Sequence, residues 1–181
     1  MYPPLRLGET SHALHLGYRR RVRPRRRRRV GHAGTFVGSD ALRETLWTID
    51  GVGVVVAAAL LTMKYQRLGN NLVAAGFLTF LAGESLLLAG NAAGLQASVP
   101  SYAGGIALWA TGLVMVSAQA TFALWMRLTG HIDAVLFTVS VLMILWGAPL
   151  LPTSSPLPAL GYAFLVLTFI GWIWTLLKAE R

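Results

Sequence analysis

Glu84 is the residue of this sequence best placed to do chemistry, because it is an acid set in the middle of a long apolar run, Leu72 to Leu95. An ionised carboxylate at the centre of a bilayer costs about 2.5–3.5 kcal/mol on insertion scales. Such a group should turn towards other helices. There it either holds a proton or cation in transit, or stays neutral, hydrogen-bonds a neighbour and locks the packing. Gln119, Ser117 and Ser140 are polar side chains that could answer it, and Asn91 lies two turns further along the same helical stripe. Glu84, Asn91 and Gln119 therefore form the candidate intramembrane proton or ion site. The apolar runs contain no His, Lys or Arg partner, which favours the packing role over transport.

The other acids read as terminal. Asp50 stands near the start of its apolar run, and Asp133 immediately before another, where a carboxylate complements a helix dipole. No His-Glu-x-x-His, serine elbow, phosphate loop or pair of intramembrane Asp residues is present, so the residues point away from an enzyme. With no Cys, disulfides, Cys-ligated zinc and iron–sulfur clusters are excluded. His12, His15 and His32 lie in the N-terminal segment and His131 at a helix start, so this chain offers no axial pair for a transmembrane haem. Neither a metal nor a cofactor is expected.

The elements that position these residues follow from charge. Only 13% of residues are charged, about half the usual share. Between Leu46 and Leu177 the charged residues are Asp50, Lys64, Arg67, Glu84, Arg127 and Asp133. Six charges cannot cover a water-facing surface of that length, but they suit a chain facing lipid. A helix crosses the hydrocarbon core in about 20 apolar residues, which predicts an all-α, polytopic bundle of five transmembrane helices over about 46–63, 72–95, 102–126, 134–151 and 157–177. Turn-forming segments separate them: Lys64 to Asn71, Pro100-Ser101, Leu128-Thr129-Gly130, and the Pro-rich stretch Pro149 to Pro158. Tyr65, Tyr102, Trp125, Trp146, Tyr162, Trp172 and Trp174 fall near the limits of these spans, as interfacial aromatic belts do.

The second span holds a further pattern. Gly69, Gly76, Gly83 and Gly90 recur every seven residues along one stripe, beside a second stripe of Asn70, Phe77, Glu84 and Asn91. Small residues at such spacing let a neighbouring backbone approach closely, so this helix should be the most buried. Gly105 and Gly112 repeat the spacing on the third span. A weak hairpin repeat aligns Leu46-Trp47, Arg67-Leu68 and Phe77 with Leu108-Trp109, Arg127-Leu128 and Phe137.

Residues 1–40 form an Arg-rich tail ahead of the membrane domain, 41–181. Ten of the sixteen Lys and Arg residues precede residue 30, all of them Arg, and the segment has no apolar face to bury. Three readings compete: GC-rich upstream sequence translated ahead of a start at Val30 or Val37, an anchor for anionic lipid, and, last, nucleic-acid binding. Lys64, Arg67, Arg127, Lys178 and Arg181 mark alternate connectors and the C-terminus. The positive-inside rule then places the C-terminus in the cytoplasm and the N-terminus outside, against the pull of the Arg tail. The whole reads as a multi-pass protein of a bacterial inner membrane, an accessory or membrane-homeostasis protein in the first instance. The alternative is a small proton- or cation-coupled transporter or channel using Glu84. Its expected partners are the bilayer and a second copy or membrane complex.

Overall fold

The computed structural model describes residues 40–93, 97–148, 150–151 and 156–179. Of the expected tail, residues 1–40, all but Asp40 lie outside them, and Asp40 begins the first helix. The described residues form α1 (Asp40–Arg67), α2 (Asn71–Asn91), α3 (Val99–Ala118), α4 (Leu124–Leu145) and α5 (Leu157–Ala179). At 1.5 Å per residue these helices run about 30–42 Å, against a hydrocarbon core of about 30 Å. Each contains a stretch long and apolar enough to cross a membrane. The chain is an all-α, multi-pass bundle of five such helices.

The helix ends are built from local sequence. At the end of α1, Gly69 takes φ +73°, and its amide donates to Gln66 O while the Asn70 amide donates to Tyr65 O. These two bonds close a left-handed C-terminal cap that favours glycine. Asn70 then caps α2, accepting from the Val73 amide at 3.2 Å. Its Nδ2 donates to Thr121 Oγ1 at 2.7 Å, tying the α1–α2 connector to the α3–α4 connector. Gly147, at φ +85°, ends α4 in the same way. Pro100 sits in the first turn of α3, where a missing amide hydrogen costs nothing.

The third and fourth helices depart from the spans expected of them. The break falls at Gln119–Ala123, and residues 128–130, expected as a connector, lie inside α4. Gly130 acts there as a contact residue, its bare face filled by Ser117 Oγ of α3. Arg127 is in the first turns of α4 and reaches back over the end of α3. Its Nε donates to Ser117 O at 2.9 Å and its Nη2 to Ala118 O at 3.3 Å. A guanidinium on the last carbonyls of a helix satisfies acceptors that the helix leaves open. Arg67 ends α1 whereas Arg127 lies within α4, so the proposed hairpin repeat does not superimpose at its basic residues.

Each helix packs on the next in sequence. The closest pair is α2 with α3, which meet through two antiparallel rows of small residues. Gly76 lies against the Gly112 carbonyl, Gly83 against the Gly105 carbonyl, and Gly90 against Ser101 and Ser98. A methyl group on Gly83 would stand 2.6 Å from Gly105 O, and one on Gly112 2.6 Å from Gly76 O. Gly69, grouped with this stripe by spacing, touches nothing and belongs to the turn. The most buried span is α3, at 50% of its most apolar 18-residue stretch against 39% for that of α2, although each lies between two neighbours.

A continuous set of rings fills the interior. Phe80 stacks on Trp109 at 4.9 Å, and Phe77 meets Trp172 edge-on at 4.8 Å. Tyr65, Phe122, Phe137, Tyr162 and Phe169 extend the set to all five helices. Tyr65, Tyr102 and Trp172 are therefore buried against other helices, while Trp125, Trp146 and Trp174 are exposed.

Candidate functional site

Glu84 lies on the α1-facing side of α2, about 20 Å along that helix from Asn71, and is 7% exposed. Gly51 of α1 makes room for it: a methyl there would stand 2.7 Å from Glu84 Oε1. Asp50, the residue before that glycine, is close enough for its charge to act on Glu84. Asp50 was expected near a helix end, but α1 begins at Asp40, so it lies about 15 Å into the helix. Two acids thus lie near each other across the α1–α2 contact.

Beyond Asp50 opens a cleft of about 620 Å³ between α1 and α5, floored by Phe77 and Phe80 of α2. Its walls are Val54, Ala57, Leu61, Phe169, Trp172 and their neighbours, with Asp50 and Lys64 the charged members. These two stand about 21 Å apart along α1.

The other two candidate residues are elsewhere. Asn91 is the last residue of α2, about 10 Å along the helix from Glu84. Gln119 lies past the end of α3, in extended conformation, at the opposite end of the α2–α3 seam. Ser117 lies against α4, and Ser140 Oγ donates to its own helix at Leu136 O. The fold therefore does not assemble Glu84, Asn91 and Gln119 into one site. It pairs Glu84 with Asp50 instead.

Asp133 was expected in a first turn. It lies near the middle of α4, about 13 Å from Leu124, and is 0% exposed. Neither Oδ1 nor Oδ2 has a hydrogen-bond partner. Tyr162 of α5 lies with its hydroxyl beside that of Tyr102. The Tyr102 hydroxyl is itself buried and forms no well-shaped hydrogen bond. The signal that could have found Asp133 is a window: Leu124–Leu145 is long enough to span and has only two charges, Arg127 and Asp133.

Among the described residues no group of three His, Asp or Glu side chains could hold a metal ion. No protein-family model, curated protein or solved structure matches the chain.

Proposed function

We propose that this chain is a non-enzymatic accessory or membrane-homeostasis protein of a bacterial inner membrane, whose α1–α5 cleft is occupied by lipid acyl chain. The observation that carries this reading is the apolar character of the cleft lined by Asp50, the acid near Glu84. A conduction route would supply a run of polar side chains from water to the acid, and the cleft next to it is walled by aliphatic and aromatic groups. A transmembrane helix about 10 Å across and 30 Å long would fill more than about 2,000 Å³. The cleft holds about 620 Å³, room for a chain of methylenes.

The test is reconstitution into liposomes with an imposed pH gradient, comparing wild type with Glu84→Gln. Gradient decay should equal that of protein-free liposomes in both cases. A second reading, a small proton- or cation-coupled transporter or channel, is favoured by the Asp50–Glu84 pair at the edge of the cleft. Gradient-driven flux that Glu84→Gln abolishes would establish that reading and remove the first.

A further inference from the structure

We infer that the α1–α5 cleft binds one anionic phospholipid of the leaflet at its Lys64 end, with the headgroup phosphate on the Lys64 ammonium and an acyl chain running along α1 towards Asp50. The inference rests on the reading of the cleft as an acyl-chain site. It adds the headgroup, the direction of the chain and the leaflet from which the lipid comes.

The first support is the chemistry at the two ends of the cleft. Asp50, Val54, Ala57, Leu61 and Lys64 follow one another on α1 in steps of four and three, so they share one face of the helix, and all five line the cleft. That face begins with an acid, continues apolar and ends with a base. Lys64 is half-buried in the wall, and among the described residues its ammonium has no ion-pair partner. The acids of the described residues stand away from it. Asp40, Glu44 and Asp50 lie earlier on α1, Glu84 lies beside Gly51, and Asp133 is enclosed on α4. A lysine lays its stem along apolar surface and carries its ammonium to the headgroup level, where phosphate is the anion at hand. A zwitterionic headgroup brings its own cation to that phosphate and gains less from Lys64. A headgroup at the other end of the cleft would meet Asp50 in place of a cation.

The second support is length and access. Lys64 and Asp50 stand about 21 Å apart along α1. One leaflet supplies about 15 Å of hydrocarbon, half of a core of about 30 Å. A chain anchored at Lys64 therefore ends near Val54, short of the acid. Entry is lateral: Leu60 and Ile173 line the cleft and are exposed, and among the described residues α1 and α5 do not pack on each other. Gly53 keeps the wall open, with nothing within 4 Å of the position a side chain would take.

The test is electron spin resonance on the full chain in phosphatidylcholine bilayers, with trace phospholipid spin-labelled near the methyl end of one chain. The motionally restricted signal that disappears in the double variant Gly53→Leu, Ala57→Leu, which fills the cleft, is the cleft lipid. Labelled phosphatidylglycerol should prefer this site over labelled phosphatidylcholine about fivefold, the effect of one basic side chain beside an anionic lipid. Lys64→Gln should abolish the preference while keeping the phosphatidylcholine signal, and Lys64→Arg should retain it. Arg67→Gln, which removes an exposed charge outside the cleft wall, should leave most of it. A cleft signal equal for the two lipids overturns the inference and leaves the acyl-chain reading standing. A preference lost equally in Arg67→Gln also overturns it, because attraction to a basic surface then accounts for the selectivity. Absence of any cleft-dependent signal removes the acyl-chain reading, and this inference with it.

Discussion

The α2–α3 contact and the α1–α5 side are made from similarly apolar sequence and end as opposites. On one side Gly76, Gly83 and Gly90 meet Gly112, Gly105 and the serines of α3 with backbone against backbone. On the other, Gly53, Ala57 and Leu60 of α1 face Ile173 and Leu176 of α5 across open space. Apolarity does not decide which surfaces join in lipid, because acyl chain is as good a neighbour as leucine. Repeated small residues on both partners decide it. α1 has Gly53 on the cleft side, but nothing lies within 4 Å of it, and no matching row of small residues on α5 lines the cleft.

The first way to sharpen this comparison is all-or-none: which mouth of the cleft faces the cytoplasm. Lys64 at one end and Asp50 at the other make the mouths chemically different. The Lys64 mouth should be cytoplasmic, with the C-terminus on the same side. Fusions at Arg181, made with and without residues 1–36, report this. In the shortened chain a fluorescent fusion should be bright and a phosphatase fusion inactive, and the reverse result refutes the assignment. An orientation that flips only when residues 1–36 are present would make the Arg run a topogenic signal.

Next in size is an attack on the seam. Gly83→Leu would drive side-chain atoms onto the Gly105 carbonyl and Trp109, and a backbone atom cannot turn aside. The cost should reach about 3 kcal/mol, the upper end for overpacking, which corresponds to about 6–12 °C in Tm for a chain of this size. Thermal unfolding in detergent, followed by tryptophan emission, measures it. An unchanged Tm would mean that α2 and α3 are not held by close approach.

A smaller loss should follow Asn70→Ala, which removes the α2 cap and the bond to Thr121. Loss of an N-cap costs about 0.5–2 kcal/mol, so Tm should fall by a few degrees in the same assay, with Thr121→Val giving part of that loss. The smallest effect belongs to the open side. Gly53→Leu adds a large side chain to a helix where nothing lies nearby, and stability should stay within about 0.5 kcal/mol of wild type. A loss as large as that of Gly83→Leu would show the cleft to be closed in the membrane and end the comparison.

Much of the fold was legible in the sequence, and the rest was hidden for identifiable reasons. Five apolar runs of spanning length predict five helices because a membrane leaves few alternatives for the backbone. The boundary between α3 and α4 was misplaced by residues that usually mark connectors. Gly130 reads as a breaker, yet it is a contact for Ser117. Arg127 reads as a connector charge, yet it caps α3. The depth of Asp133 depended on that boundary, so its burial was hidden with it. Gly69 shares the spacing of Gly76 and Gly83, and only the following Asn70, a helix cap, separates a turn glycine from a contact glycine. Glu84 was found because its depth needs only the local run. Its pairing with Asp50 needed the angle at which α1 meets α2, which composition does not encode.

A row of identical teeth has no unique phase, and the seam between α2 and α3 is such a row. Sliding α3 by seven residues, about 10 Å, would set Gly83 opposite Gly112 and Gly90 opposite Gly105, so glycine would still face glycine. What distinguishes the native alignment is therefore aperiodic. Phe80 stacks on Trp109 at only one setting, and the short α2–α3 connection limits the travel. At the far end, the single bond from Asn70 to Thr121 can form only when the two connectors arrive together. The glycines supply adhesion without position, and a few unrepeated side chains supply position, in the way that one index mark fixes the reading of an otherwise uniform scale.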